Sequence, residues 1–242
     1  MMLPASWRGW RCGQCWLFTW GKSRKNEDAQ RHRSGERRLR RVPCTDGLCG
    51  WWRRVMTVAV LFARADSTYK ALPDVEVFDM ERDARTYDGP WPVVAHPPCR
   101  AWGRLRAFAN PRPDERNLGR LAVALVREFG GVLEHPAGST LWSAQKLPRP
   151  GERDQYGGWT LAAPQKWWGH KAEKDTWFYV CGCEPSEIPD VPYVMGDAAY
   201  VVQSRKRQDY RPHITKAERE HTPPPLAAWL VELAAKCKTH NA

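Results

Sequence analysis

A strand, a helix and a second strand follow one another in the middle of the chain, and this order most constrains the fold. Residues 92–95 form a short apolar run that is typical of a buried strand. Residues 132–134 form another, after a Gly-Gly pair suited to ending a helix. Between them, apolar side chains recur at helical spacing, at Leu118, Leu121, Ala122, Leu125, Val126 and Phe129. Because adjacent parallel strands need such a crossover helix, we predict an α/β fold with a mainly parallel sheet and flanking helices.

Further elements fit the same plan. Apolar runs predict strands at residues 57–62, 75–79 and 175–181. Thr222 and the prolines that follow predict the start of a last helix, and its buried stripe is Leu226, Trp229, Leu230 and Leu233. Residues 137–165 are rich in Gly, Pro and Ser and are predicted to be loop.

The positive charge of the chain is concentrated at its N-terminal end. The 242 residues have a net charge of +11, which suggests a nucleic-acid partner. Residues 1–55 contain 13 Lys and Arg against 4 Asp and Glu, whereas residues 56–242 contain 25 against 23. We therefore expect a basic tail, residues 1–55, joined to a nearly neutral single domain, residues 56–242.

Three hypotheses remain open for the tail. Cys12, Cys15, Cys44 and Cys49 could bind zinc, although the 28 residues between the two pairs exceed the usual spacing. The arginine-rich stretch could instead be a disordered arm that contacts nucleic acid. Translation could also start at Met56, directly before the first predicted strand. We favour a disordered arm or a start-site artefact because the tail has no apolar periodicity.

No apolar run approaches the roughly 18 residues of a membrane-spanning helix, so we expect no membrane partner. The N-terminal residues also lack the apolar stretch of a secretion signal. The mixed, unpaired use of cysteine suits a reducing cytoplasm. Cys181 and Cys183 lack partners at a metal-binding spacing, so no metal site is expected in the domain.

Two short motifs carry possible chemistry. Pro97-Pro98-Cys99 follows a predicted strand, and a thiolate held by stiff prolines is a well-placed nucleophile. Leu133-Glu134-His135-Pro136 ends the next strand, where a partly buried carboxyl can act in acid–base chemistry. The simpler interpretations are an inert cysteine and a salt-bridged glutamate. Asp79, Cys99 and Glu134 all come at strand ends, so we expect them at one edge of the sheet.

Here the chain resembles the cytosine carbon-5 DNA methyltransferases, above all their short phage-type members. The resemblance extends over most of residues 57–236, in the family's order. The segments that carry it are residues 94–99, 133–138, 165–170, 174–180 and 222–227. It implies a Rossmann-like methyltransferase fold, DNA as the partner, and the cytoplasm of a bacterial host if the chain is phage-encoded.

The resemblance also implies roles for individual residues. Cys99 would attack carbon 6 of an extruded cytosine, and Glu134 would hydrogen-bond N3 and the exocyclic amine. Further residues implied to contact the substrate are Pro98, Arg100, His135, Lys171 and Lys174. The family usually has Asn where this chain has His135.

The methyl donor of the family is S-adenosylmethionine. The resemblance assigns its binding to Phe62, Asp79 and Asp83. The family's Phe-x-Gly-x-Gly turn is Phe62-Ala63-Arg64-Ala65-Asp66 in this chain, without glycine. Only residues 184–221 are available for a target-recognition region, which excludes a large one. Arg205-Lys206-Arg207 and Arg211 could contact phosphates there.

Two alternatives to a DNA methyltransferase remain. One is an enzyme of the same fold that modifies a nucleotide without a methyl donor. The other is a non-catalytic DNA-binding or anti-restriction protein. Five tryptophans also suggest base stacking, but we favour packing in the core and loops for Trp102, Trp142, Trp167, Trp168 and Trp177.

Overall fold

A computed structural model of the chain describes residues 58–202 and 210–238. The three hypotheses for residues 1–55 lie outside these ranges. So does the proposed phosphate contact of Arg205-Lys206-Arg207. Arg211 is described, and its Nη1 atom donates to the carbonyl of Ala198 at 3.0 Å.

Six strands form one sheet in the order β2-β1-β3-β4-β6-β5. Strands β1 to β4 are parallel to one another, as the crossover pattern predicts. Their shared direction brings their carboxyl ends to one edge of the sheet. The strands are β1 Val58–Leu61, β2 Val75–Phe78, β3 Val93–Ala95, β4 Gly131–Pro136, β5 Trp159–Pro164 and β6 Asp175–Cys181.

The other end of the sheet is antiparallel, so the prediction of a mainly parallel sheet holds for only part of it. Strand β6 pairs antiparallel with both β4 and β5. Only residues 165–174 connect β5 to β6, which is shorter than the dozen or more residues of a parallel crossover. The prediction that residues 137–165 are all loop was wrong, because they include β5 and a short helix.

Two longer helices cover the two faces of the sheet. Helix α1 packs Ala122 and Val126 against one face, and helix α4 packs Leu226 and Leu230 against the other. Both buried stripes agree with the sequence prediction. The helices are α1 Glu115–Phe129, α2 Leu141–Ala144, α3 Lys216–Glu220 and α4 Pro224–Lys236. Single-turn 3-10 helices lie at Thr68–Ala71, Ala84–Thr86, Arg106–Phe108 and Gln165–Trp168.

Large aromatic side chains fill much of the core, as we expected from their sequence positions. Trp102, Trp142 and Trp168 are buried, while Trp167 and Trp177 are partly buried against the same clusters. Among the helices formed by residues 58–202 and 210–238, none has the length and apolar content needed to cross a bilayer.

Candidate functional site

Glu134 lies in the middle of the sheet, and two side chains from different elements fix its carboxylate. Gln165 donates from Nε2 to Oε1 of Glu134 at 2.8 Å. His96, directly after β3, places Nδ1 3.0 Å from Oε2. The parallel pairing of β3 with β4 brings His96 beside Glu134, and the turn after β5 brings Gln165. The carboxylate is therefore held on both oxygens.

Tyr69 fixes the imidazole of His96 in turn. Its hydroxyl lies 2.8 Å from Nε2 of His96, and only 1% of Tyr69 is exposed. Burial raises the pKa of the Tyr69 phenol well above its usual value, and the negative charge of Glu134 raises it further. The phenol therefore stays protonated and donates to Nε2. Because Nε2 accepts this hydrogen bond, the ring proton of His96 lies on Nδ1, which donates to Glu134.

The surroundings of Glu134 keep it ionised. Burial on its own raises the pKa of the carboxyl, but the hydrogen bond from His96 and the positive charge of Lys174 outweigh this effect. The pKa of Glu134 falls to about 2. At neutral pH this buried group is therefore an anion with fixed orientation.

Cys99 reaches solvent beyond the end of β3. Its carbonyl accepts hydrogen bonds from the backbone N–H of Trp102 at 3.0 Å and of Gly103 at 2.7 Å, which closes the turn after the two prolines. The protein around the thiol raises its pKa by desolvation, and the negative charge of Glu134 adds to the rise. The positive charge of Lys174 acts in the opposite direction.

Lys174 completes the cluster. It lies directly before β6, which pairs with β4 on the side away from β3. Its backbone has a left-handed φ of 43°. Its carbonyl accepts from the N–H of Gln165 at 3.2 Å and from the hydroxyl of Thr176 at 2.9 Å. Burial lowers the pKa of its ammonium group, whereas the negative charges of Glu134 and Cys99 raise it. In the described part of the chain, no side chain forms a hydrogen bond with its Nζ.

Cys99, Glu134 and Lys174 therefore influence one another electrostatically at the carboxyl edge of the parallel strands. This set combines a nucleophile, a fixed anionic acceptor and a cation. Such an arrangement can add a thiolate to an electron-poor ring while the carboxylate binds N–H donors on the ring.

Two other residues assigned to the substrate have protein partners elsewhere. Lys171 is exposed and forms an ion pair with Glu218 of α3. Arg100 donates from Nε to Oε1 of the buried Glu115 at 2.8 Å. Both are therefore engaged in ion pairs. Pro98, immediately before Cys99, is half-buried and stays at the site.

His135 does not share the space of Glu134. It is fully buried on the other face of the sheet, with its ring 6.3 Å from that of Trp142. Successive residues of a strand point to opposite faces, so the assignment of His135 to the same site as Glu134 is not supported by the geometry. Neither of its ring nitrogens has a partner among the described residues. Burial lowers the pKa of His135 to about 4.

The residues expected to hold S-adenosylmethionine are engaged within the protein. Asp79 accepts from the ammonium of Lys70 at 2.6 Å and from two backbone N–H groups, and its pKa falls to about 2, mainly because of Lys70. Asp83 is the N-cap of the 3-10 helix Ala84–Thr86, and its carboxylate pairs with Arg85. Phe62 is partly buried against the core. None of these side chains offers a free group to a cofactor.

The turn after β1 is occupied as well. Arg64 stands where the family has glycine, and it binds Asp66 at 2.8 Å and Glu220 of α3 at 3.0 Å. Charged side chains that pair with one another therefore stand where the family has glycines. The residues present do not fit S-adenosylmethionine in the expected way.

Sequence reasoning missed three residues of the site. His96 and Gln165 belong to segments that carry the resemblance, but nothing in the sequence showed that both contact Glu134. Tyr69 has no such signal, because it enters from a 3-10 helix between β1 and β2. Within residues 58–202 and 210–238, no group of three or more His, Cys, Asp and Glu side chains is placed to hold a metal ion.

Comparisons with protein-family models, with curated proteins and with solved structures found no match for this chain.

Proposed function

We propose that the chain modifies cytosine in DNA through a transient bond between the sulfur of Cys99 and carbon 6 of the ring. Glu134 binds the ring edge that carries N3 and the exocyclic amine. The assignment to cytosine and to DNA rests on the resemblance of residues 94–99 and 133–138 to the cytosine carbon-5 methyltransferases. The fixed carboxylate beside a cysteine supports it.

One observation carries the proposal: Glu134 is an anion whose two oxygens are oriented by Gln165 and His96. A carboxylate in this state prefers a ligand with two neighbouring N–H donors. Cytosine offers that pattern once N3 is protonated, through N3–H and one amine N–H. Glu134 therefore favours the ring form that is most open to attack at carbon 6.

The ring chemistry balances without a metal or redox partner. The thiolate of Cys99 forms a bond to carbon 6, and the π bond between carbons 5 and 6 breaks. The electron pair moves into a new π bond between carbons 4 and 5, and the π pair of the double bond between carbon 4 and N3 moves to the protonated N3 and neutralises it. Carbon 5 is then a nucleophile. When it takes up an electrophile, the π bond between carbon 4 and N3 forms again. The original proton of carbon 5 then passes to water, the pair of that C–H bond restores the π bond between carbons 5 and 6, and the thiolate leaves carbon 6 with the pair of the C–S bond.

Lys174 is the group we assign to stabilise the thiolate of Cys99. The proton of the thiol passes to solvent, which reaches the cysteine. Burial and the charge of Glu134 raise the pKa of the thiol, whereas the positive charge of Lys174 lowers it, so the ammonium group favours the thiolate. Solvent reaches Cys99 and can return the proton at the end of the cycle.

The resemblance implies that the group added at carbon 5 is a methyl group from S-adenosylmethionine. Asp79 and Arg64, however, are bound to other protein groups where that cofactor would lie. This observation favours a second candidate, an enzyme that activates the same ring without S-adenosylmethionine.

Release of tritium from DNA labelled at carbon 5 of cytosine tests the shared step. Carbon 5 takes a proton from water and loses the label, so no methyl donor is required. We expect release by the full chain and background levels with Cys99→Ser. Replacing Glu134 by Gln should slow release about 10- to 100-fold, because a hydrogen bond to a charged group is worth about 1.5–3 kcal/mol.

The matched control for Glu134→Gln is Glu232→Gln, which removes an exposed carboxylate of α4. It should release tritium at the wild-type rate. Equal release by wild type and Cys99→Ser would refute the covalent step. Adding labelled S-adenosylmethionine to the same reaction separates the two candidates, because only the methyltransferase incorporates its methyl group into DNA.

A further inference from the structure

The segment that follows Cys99 carries a concentration of unpaired positive charge. Residues 100–120 contain six arginines and two acids. One arginine, Arg100, binds one of those acids, Glu115. The remaining five are exposed and have no ion pair with any described residue, namely Arg104, Arg106, Arg112, Arg116 and Arg120. We call these five the arginine row.

Arginines elsewhere in the described chain are mostly neutralised. Arg127 pairs with Asp154, and Arg153 pairs with Glu184. Similar ion pairs occupy Arg64, Arg82 and Arg85. Since residues 56–242 have 25 basic and 23 acidic residues, the segment 100–120 alone has more net positive charge than the whole domain. The unpaired charge is therefore local and borders the site.

Contacts fix two members of the arginine row against Gly138 and Trp102, which follow Glu134 and Cys99 closely in the sequence. The stem of Arg104 lies against Gly138, where an added Cβ would meet its Cδ at 2.9 Å. Gly138 follows the strand of Glu134 by two residues. The guanidinium of Arg116 lies 4.5 Å from the ring centroid of Trp102, three residues after Cys99. One helical turn further, Arg120 extends the row along α1.

Two apolar side chains of the same segment are exposed to solvent. Phe108 is 88% exposed and Leu105 is 50% exposed; Leu105 precedes the 3-10 helix Arg106–Phe108, and Phe108 is its last residue. An exposed Phe among guanidinium groups matches a ligand that has both phosphates and flat apolar faces. A nucleic-acid strand has both, because arginine binds its phosphates and aromatic rings stack on its bases.

We propose that the arginine row and Phe108 form the surface that binds the DNA strand whose cytosine enters the site at Cys99. This inference rests on the proposed function for the identity of that base. The guanidinium groups contact phosphates on the two sides of the target nucleotide. Phe108 stacks on a base next to the target and helps to keep the strand open there.

The test compares full-length variants for binding to a fluorescent DNA oligonucleotide over a range of salt concentrations. Replacing Arg104, Arg106 and Arg112 by Gln should reduce the slope of log affinity against log salt by about 2 to 3, since each lost phosphate contact contributes about 0.7–0.9. The control replaces Arg149, Lys236 and Lys238 by Gln. It removes the same charge from exposed positions outside the segment and should leave the slope nearly unchanged.

Phe108→Ala should weaken binding about 5- to 100-fold, whereas Phe108→Trp should retain it. Tyr210→Ala, which removes another highly exposed aromatic ring, should have no effect. Wild-type binding by the triple Arg104, Arg106 and Arg112 variant would overturn the inference. Equal losses in this variant and the control triple would overturn it too, because they would show a general charge effect.

The tritium assay distinguishes a failure of the DNA-binding surface from a failure of the proposed chemistry. Cys99→Ser should bind DNA as wild type does and release no tritium. If the arginine variants lose DNA binding while wild type releases no tritium, the surface stands and the proposed chemistry fails. If wild type releases tritium and the arginine variants do so with unchanged dependence on DNA concentration, the chemistry stands and the surface fails.

Discussion

The Nδ1 atom of His96 lies 3.0 Å from Oε2 of Glu134 and links the end of β3 to the middle of β4. This hydrogen bond joins side chains carried by two neighbouring parallel strands, so the pairing of β3 with β4 sets the distance between them. Tyr69 holds the far side of the imidazole. A chain of three polar side chains therefore runs from a buried phenol to the carboxylate that we assign to the substrate.

Replacing His96 by Phe removes the hydrogen bond that lowers the pKa of Glu134 most strongly. Burial then acts with less opposition, so we expect the pKa of Glu134 to rise. The acid limb of the pH profile for tritium release should move to higher pH, and the rate at neutral pH should fall about 10- to 100-fold. Tyr69→Phe, which leaves His96 in place, should move the limb less. An unchanged acid limb in His96→Phe would contradict this role.

Lys174 and Glu134 should shift the reactivity of Cys99 in opposite directions. Removing the positive charge with Lys174→Met leaves burial and Glu134 to raise the thiol pKa, so alkylation of Cys99 should become slower at pH 8. Glu134→Gln removes a negative charge and should make alkylation faster. The measurement is the rate of iodoacetamide labelling of the peptide that contains Cys99, by mass spectrometry.

Lys171→Met is the control for this pair of variants, because Lys171 is exposed and bound to Glu218. It should leave the labelling rate of Cys99 unchanged. If Lys174→Met and Lys171→Met behave alike, Lys174 does not act on the thiol.

The sequence predicted the parallel part of the sheet, which depends on local pattern. The amphipathic stripe from Leu118 to Phe129 and the apolar runs around it determine β3, α1 and β4. In the antiparallel part, the strand predicted at residues 175–181 is confirmed as β6, but its direction depends on the ten-residue connection between β5 and β6. The Gly and Pro content of residues 137–165 concealed β5, whose pairing with β6 is a tertiary contact.

The site was predictable only in part for a similar reason. Cys99 follows β3 closely, and Glu134 lies in β4 beside the residue that follows β3, so parallel pairing must bring the two segments together. The side of the sheet that each residue faces was harder to assign, and His135 shows this most clearly: its neighbour Glu134 points into the site, while His135 points into the opposite core. Tyr69 reaches His96 from a 3-10 helix that no sequence period marks.

His135 should make the folded state sensitive to mild acid. Its pKa is about 4 in the folded chain, against about 6.5 for an exposed histidine in the unfolded chain. Between these pH values the unfolded chain binds more protons than the folded chain. The contribution of His135 to the free energy of unfolding is therefore complete above about pH 6.5 and decreases as the pH falls towards 4. The loss from this residue reaches about 3 kcal/mol.

Urea unfolding of His135→Leu at pH 7 and pH 5 measures this effect. The variant should lose less stability than wild type between the two pH values, since leucine does not titrate. His213→Gln, at an exposed histidine, should keep the wild-type pH dependence. Equal pH dependence in wild type and His135→Leu would exclude His135 as the cause.

The residues expected to bind S-adenosylmethionine lead to a prediction about ligand binding. Lys70 and two backbone N–H groups already occupy the carboxylate of Asp79, so we expect no saturable heat when millimolar S-adenosylmethionine or S-adenosylhomocysteine is titrated into the protein. Saturable binding that Asp79→Asn abolishes and Asp74→Asn retains would show that the ion pair with Lys70 gives way to the cofactor.

The buried ion pair between Arg127 and Asp154 should matter more for stability than any exposed pair. Its side chains are 17% and 8% exposed, and Asp154 also accepts from the hydroxyl of Tyr179 at 2.8 Å. Asp154→Ala leaves the guanidinium buried without its partner, so we expect a loss of about 3–5 kcal/mol in the free energy of unfolding by urea. Glu184→Ala breaks the exposed pair with Arg153 and should cost about 1 kcal/mol or less. Similar losses in the two variants would mean that solvent stabilises the unpaired guanidinium of Arg127 as well as it stabilises that of Arg153.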